Sequence, residues 1–275
     1  MPATIKRLRG RRLVDADYRA TSLRDAAQYE PREGVYTVSN TYKRTQTLLL
    51  DAHLDRLEDS ARRQDIPLSL DRIQLRSALR QLVLETDYGD VRFRISASAA
   101  APDELILSVE PFQAPSPQLI GNGARCITSK AVRRNPASKS ISWMRQRQAL
   151  EAAKPAGVYE VFLLDSSANL LEGMSSNVYA MIGRELYTAA SGVLAGVSRM
   201  IVFAICEAIV PLRRQPANMS DFDRFDEVFL SSSSRGLIPV VELDGKPVGD
   251  GRVGPITLAL RKAYQGWVAA HLEEL

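Results

Sequence analysis

Glu172 stands 33 residues after Lys139 and opens the run Glu172-Gly173-Met174-Ser175-Ser176-Asn177. A lysine amine can condense with an aldehyde to a Schiff base and can later carry a proton to and from a carbon acid. A carboxylate facing a ring nitrogen keeps that nitrogen protonated, so the ring can accept electrons. Gly173 lets the backbone approach closely, and the Ser-Ser-Asn that follows offers hydroxyls, an amide and turn-type N–H donors. Taken alone, Glu172 also fits the solvated end of a strand. Lys130, nine residues before Lys139, competes for the amine role.

Two further stretches suit an anion. Gly196-Val197-Ser198-Arg199 opens an apolar helical run, and a helix N-terminus presents oriented N–H groups with a favourable dipole. An ordinary serine N-cap would look the same. Ser231-Ser232-Ser233-Ser234 follows a strand-like segment and reads either as a hydroxyl-rich anion loop or simply as a polar loop.

The elements that must position these residues divide into two groups. Alternating, β-branched segments at Val35–Tyr42, Thr45–Leu50, Val91–Ser98 and Glu104–Val109 predict strands. Between them lie two helices. One is capped by Asp51, with a stripe through Leu54, Leu57 and Ala61; the other is capped by Asp71, with a stripe through Ile73, Leu79 and Leu82. This α+β unit covers residues 1–112. Residues 113–123, rich in Pro, Gly and Asn, predict a linker. Residues 124–275 follow as a second unit. Its predicted strands are Arg125–Ala131, Tyr159–Leu164, Asn177–Ile182, Glu185–Thr188, Asp226–Ser231 and Ile238–Leu243. Its predicted helices are Ser142–Lys154, Ser198–Ile209 and one that starts near Gly254-Pro255.

The 275 residues carry 36 basic and 32 acidic side chains, well mixed, for a net charge of +4. That balance suits a small-molecule enzyme and gives no footprint for nucleic acid. The basic run Lys6–Arg12 reads as a phosphate-seeking arm or, more simply, as a solvated strand and turn. Cys126 and Cys206 lie in apolar segments without metal-ligand spacing and read as buried thiols. Two histidines, His53 and His271, are too few for a histidine-rich metal site, so no metal is expected. No apolar run reaches about 18 residues and no signal-peptide core is evident, so the expected compartment is the cytoplasm, without membrane partners.

Order and spacing together carry a resemblance. Lys139 precedes a helix; Gly157 comes eighteen residues later and opens the strand ending Leu163-Leu164-Asp165; then come Glu172-Gly173 and the Gly196–Arg199 turn. His53-Leu54-Asp55-Arg56-Leu57, Asp226–Leu230, Ile238-Pro239-Val240, Gly249-Asp250-Gly251 and Gly254–Thr257 add to it. Over roughly Gly34 to Tyr264 the chain resembles the class IV (fold type IV) pyridoxal-phosphate aminotransferases. The resemblance implies an α+β fold, with a smaller N-terminal α/β domain and a larger β-barrel-like α/β domain. It also implies pyridoxal 5'-phosphate as cofactor, an amino donor and a keto-acid acceptor as partners, and a homodimer. By the same resemblance Lys139 is the Schiff-base lysine, Glu172 the partner of the pyridine nitrogen, and Asn177 a lining residue. Arg56, Val197, Ser198 and Ser233 are the phosphate ligands, and Tyr36 is a pocket aromatic. His53 is expected to pack rather than to catalyse.

The chain also departs from that family. Ala27–Glu33 replaces the Asp-Arg-Gly stretch that precedes the Gly-Val-Tyr strand, and Thr37–Thr41 replaces the branched-chain signature around Tyr36. Ser96–Ala100 carries no charge where the D-amino-acid branch has an Arg-x-His pair. Arg92 resembles the pocket arginine of the branched-chain enzymes. Two-residue periodicity puts Arg92 and Arg94 on one face, where they would either meet a substrate carboxylate or line a charged outer surface. Arg235 is a further substrate-side candidate. Two other functions stay open on the sequence: a lyase of the aminodeoxychorismate type releasing pyruvate, and a non-catalytic binding protein on a degenerate scaffold.

Overall fold

The structure is a computed structural model that describes residues 2–275. In chain order the elements are β1 (Thr4–Arg9), β2 (Arg12–Asp15), α1 (Leu23–Ala26), β3 (Gly34–Asn40), β4 (Gln46–Leu48), α2 (Leu50–Arg62), α3 (Arg72–Glu85), β5 (Val91–Ser98) and β6 (Ala101–Pro111). There follow α4 (Pro117–Asn122), β7 (Ala124–Ser129), α5 (Ile141–Ala152), β8 (Glu160–Leu164), β9 (Leu170–Gly173), β10 (Asn177–Ile182), β11 (Glu185–Tyr187) and α6 (Val197–Cys206). The chain closes with β12 (Leu212–Arg213), a 3-10 turn at Met219–Arg224, β13 (Phe225–Ser232), β14 (Gly236–Leu243), β15 (Lys246–Pro247), α7 (Pro255–Ala270) and β16 (Leu272–Glu274).

Two compact units result. The first holds Met1–Gln113, Ser138–Gln146 and His271–Leu275; the second holds Ala114–Ala137 and Arg147–Ala270. The linear division expected from the sequence is corrected in three places. Residues 113–123 contain helix α4, started by Ser116, whose side chain accepts from Leu119 N. The segment carrying Lys139 belongs with the first unit, because Tyr36 N donates to Lys139 O and Lys139 N donates to Ser60 Oγ. The last residues return to the first unit as β16, paired antiparallel with β4.

In the first unit five strands form one sheet in the order β2-β1-β6-β5-β3. The basic run at 6–12 is here the β1–β2 hairpin, with Lys6 opposite Asp15. Alternation gives the sheet two unlike faces. Val35, Phe93, Ile95, Leu107 and Val109 share one hydrophobic cluster with Leu54 and Leu57 of α2 and Leu79 and Leu82 of α3. Tyr36, Arg94 and Ser96 point the other way, where Tyr36 packs with Ala27, Ile141 and Met144. Asp71 caps α3 as expected, accepting from Gln74 N. Asp51 does not cap α2. That helix is entered from Leu49, which has a left-handed backbone and no side-chain acceptor; Leu50 N donates instead to Glu273 Oε1 at 2.7 Å, and Asp51 sits in the first turn. Ile73 also departs from its predicted stripe and is 84% exposed, because the buried side of α3 runs through Leu75, Ala78, Leu79, Leu82 and Val83.

The second unit is built on a sheet in the order β12-β11-β10-β13-β14-β7-β8-β9, and β9 pairs back to β10. That pairing closes a six-stranded barrel of β10, β13, β14, β7, β8 and β9. Closure leaves none of these strands with an unpaired edge inside the ring. Its core includes Cys126, Phe162, Leu170, Val178, Ala180, Val228, Leu230, Ile238 and Val240. Both cysteines are buried and unbridged. Among the described residues, no helix is long and apolar enough to cross a membrane.

Leu57 is fully buried between α2 and the sheet. Replacing it by Ala should lower the unfolding free energy by about 2–5 kcal/mol, read from urea denaturation. A loss below about 1 kcal/mol would mean that this packing is not what holds α2 in place.

Candidate functional site

The candidate residues form two groups, one in each unit. In the second unit the register of the barrel aligns one row. Asn177 is the partner of Glu172 on β9 and of Ser231 on β13. Residues directly opposite one another in an antiparallel ladder share a face. Glu172, Asn177 and Ser231 therefore stand side by side across three strands. Glu172 is 2% exposed; its Oε1 accepts from Arg133 Nη1 at 2.8 Å and its Oε2 from Leu194 N at 2.9 Å. Asn177 Nδ2 donates to Leu194 O at 3.0 Å, so residue 194 bridges the carboxylate and the amide through its backbone.

Helix α6 begins at the end of this row. Its N-cap is Gly196, with no side-chain cap bond, so its first N–H groups rely on partners outside the helix. A Cβ at Gly196 would fall 2.2 Å from Asn177 Oδ1, which explains why glycine occupies this point. Ser198 Oγ donates to Ser231 Oγ at 3.4 Å, and Tyr179 Oη lies 3.3 Å from the same Ser231 oxygen. Burial pushes the Tyr179 phenol well above its usual range, so it remains a neutral hydrogen-bonding group. Ser231 was not singled out from the sequence. Ser233, which was, lies two residues farther on, in the turn between β13 and β14. The strand register could have found Ser231, since it is the position opposite Asn177. Arg133 and Arg199 were missed as well. Arg199 is buried, donates to Ala189 O and lies over the Phe203 ring.

The turn after Glu172 is held by a second network, partly buried, around Glu160. Ser175 and Ser176 hydroxyls donate to Glu160, and Arg235 donates to Glu160 Oε2 at 3.1 Å, to Ser175 O and to Ser232 Oγ. A Cβ at Gly173 would meet Ser176 Oγ at 2.1 Å. Arg235 thus braces the turn onto the serine loop.

In the first unit Lys139 is pinned by its backbone. Its N–H and C=O are both bonded, to Ser60 Oγ and Tyr36 N, while its Nζ lies 4.8 Å from the centre of the Tyr36 ring. Arg56 on α2 donates to Thr37 Oγ1 at 3.1 Å and approaches His53 Nδ1 at 3.3 Å, and Thr37 Oγ1 lies 2.9 Å from that nitrogen. Because arginine can only donate, Thr37 accepts from Arg56 and passes its own proton toward a bare Nδ1, which assigns the Nε2–H tautomer. Burial, then the positive charges of Arg56 and Lys139, hold the His53 pKa well below 6.5. The ring is neutral and packed, as the sequence suggested.

Register places Arg92 and Arg94 on the same sheet face as Tyr36, opposite Asn40 and Val38. Both meet carboxylates of the chain itself. Arg92 reaches Glu110 at 3.4 Å, and Arg94 forms a buried ion pair with Glu30. The Arg92 side chain stays 41% exposed beside its partner, whereas that of Arg94 is 4% exposed. Among the described residues, no cluster of His, Cys, Asp and Glu could hold a metal ion.

Comparison with known proteins agrees with this architecture. The family model for amino-transferase class IV matches residues 34–243. A provisionally named branched-chain-amino-acid aminotransferase of Methanocaldococcus jannaschii is 30% identical over 79% of this chain and 81% of its own length. A D-alanine aminotransferase of Bacillus licheniformis is 28% identical over 92% of this chain and 94% of its own. The branched-chain amino acid aminotransferase of Thermoproteus uzoniensis, solved with norvaline, superposes with a TM-score of 0.81 at 20% identity. That superposition covers 100% of this chain and 99% of the other, and shows a shared fold. The chain belongs to the class IV aminotransferase family and has the type IV fold of its enzymes.

The neutral His53 has a consequence for stability. The unfolded chain takes up a proton near pH 6.5 and the folded one only far lower, so stability is full above 6.5 and falls as pH drops below it. Between pH values of about 7.5 and about 5.5 the wild type should lose about 1.4 kcal/mol more in total than His53→Gln, measured by urea denaturation. Parallel pH profiles would contradict the assignment.

Proposed function

We propose that the chain moves an amino group between an amino acid or amine and a 2-oxo acid, using pyridoxal 5'-phosphate attached at Lys139. The observation that carries this reading is the aligned row Glu172-Asn177-Ser231, ending at an α6 N-terminus whose N-cap residue, Gly196, has no side chain to cap it. Such a row suits a ring with a basic nitrogen at one end and a phosphate at the other. The residues present therefore fit the cofactor, which when bound supplies an aldehyde for the amine and an electron sink for the carbanion.

In this reading Glu172 faces the ring nitrogen, with Arg133 and the Leu194 N–H fixing its orientation so that little reorganisation is needed during turnover. By the family resemblance alone, Val197 N–H, Ser198 and Ser233 are assigned to the phosphate, and Arg56 is assigned as its cation. Asn177 braces the 194–196 backbone against Glu172. The clamped backbone of Lys139 fixes the root of its side chain. With the cofactor bound, Nζ would be the base that takes the proton from the substrate Cα and then the acid that gives it to the cofactor's aldehyde-derived carbon, C4′. Tyr36 packs under Nζ as an apolar, electron-rich floor. The family resemblance further supports a homodimer and a cytoplasmic setting.

Lys139→Ala should abolish both the visible absorbance of the cofactor-loaded protein and turnover of every amino donor, read by spectrophotometry and a coupled keto-acid assay. Glu172→Ala should keep bound cofactor but lower turnover by about 10²–10³-fold. A Lys139→Ala protein with unchanged colour and activity would refute the assignment. Pyruvate released from aminodeoxychorismate without a keto acceptor would instead favour the lyase.

A further inference from the structure

The segment before Gly34 and the arginines of β5, two separate departures from the family pattern, meet at one buried ion pair. Glu30 is 2% exposed and Arg94 3%. Arg94 Nη2 donates to Glu30 Oε1, Arg94 Nη1 donates to Leu23 O at 2.7 Å, and Ser96 Oγ donates to Glu30 Oε2 at 2.8 Å. Arg145 donates to the Glu30 carbonyl, and Met144 Sδ lies 3.7 Å from Arg94 Nη1. The pair lies on the same sheet face as Tyr36, whose direct partner is Ser96 and whose ring floors Lys139 Nζ. A carboxylate has thus been built into the lysine-bearing face, against a guanidinium suited to receive one.

That pair is incompletely satisfied. Among the described residues, Arg94 Nε and the buried Tyr18 hydroxyl have no hydrogen-bond partner, and neither does Ser108 Oγ, the direct β6 neighbour of Arg94. Burial, then the Glu30 charge, push the Tyr18 phenol up to about 12, so it stays a neutral donor. Tyr18 stacks on Tyr29, the residue before Glu30, at 4.9 Å. The donors around Glu30 could hold a carboxylate supplied from outside, and the chain's own carboxylate takes that place.

We propose that Glu30 is a specificity-determining residue: by neutralising Arg94 it excludes amino donors and 2-oxo acids with a second carboxylate and restricts the enzyme to monocarboxylic or uncharged partners. An incoming distal carboxylate meets Glu30 as a like charge in a poorly solvated place, and Arg94 is already taken. This inference rests on the transamination reading for its substrates, but the residue's effect on ligand charge can be read separately.

The test compares the wild-type holoenzyme with Glu30→Ala and with Glu30→Gln, which removes the charge while keeping an acceptor for Ser96 and Arg94. Two quantities are measured. One is the ratio of kcat/KM for 2-oxoglutarate to that for 2-oxobutyrate. The other is binding of the unreactive dicarboxylate glutarate by calorimetry. The wild type should discriminate against 2-oxoglutarate and show no glutarate binding. Either variant should raise the ratio by at least about tenfold and bind glutarate, and adding Arg94→Leu should remove both gains. A wild type that uses 2-oxoglutarate as readily as 2-oxobutyrate overturns the proposal, as do folded variants with an unchanged ratio and no glutarate binding. If no donor is transaminated at all, the functional reading fails, while glutarate binding still decides the role of Glu30.

Discussion

The cross-strand pairing at Asn177 is the constraint on which the rest of the second unit depends. Asn177 carries the registered contact between β9 and β10 and is at the same time the partner of Ser231 on β13. It closes the barrel and, by the same geometry, brings a carboxylate, an amide and a hydroxyl into line. Its side chain then fixes the approach to α6, because Asn177 Oδ1 fills the space a Cβ at Gly196 would need. Barrel closure, orientation of Glu172 and placement of the helix terminus are one event. Because the row forms as the barrel closes, its polar groups are ordered by folding itself, which is how a folded scaffold preorganises a site.

Each unit surrounds its functional side chains with buried polar pairs rather than leaving them on flexible loops. Arg133 and a backbone N–H hold Glu172; Arg235 and Glu160 hold the turn that follows; Ser60 and Tyr36 hold the backbone of Lys139. Buried ion pairs of this kind contribute little net stability, because desolvation offsets much of their attraction. Their value lies in fixing one arrangement. The same logic applies to Glu30 and Arg94, where the fixed arrangement governs which charges the face will accept.

Much of this was legible in the sequence because it depends on local patterns. Two-residue alternation marked β5 with its observed bounds, and Asp71 announced the start of α3. The order Lys139, Gly157, Glu172, Gly196 carried the family. What stayed hidden depends on contacts distant in the chain. Ser231 takes its position from pairing with Asn177, 54 residues earlier, while the run of four serines offers no local reason to prefer one. Arg133 acquires meaning only opposite Glu172, and Arg92 and Arg94 looked available because Glu110 and Glu30 lie far away in sequence. The Asp51 cap failed because a left-handed Leu49, which no propensity argument favours, starts α2 instead.

The central claim is that Lys139, and not its neighbour Lys130, carries the cofactor. The most direct measurement is to load the protein with pyridoxal 5'-phosphate, reduce it with borohydride, digest it and locate the phosphopyridoxyl mass by peptide sequencing. Stoichiometric label on Lys139 is the expected result. Label on Lys130, label scattered over surface lysines, or no label would contradict it.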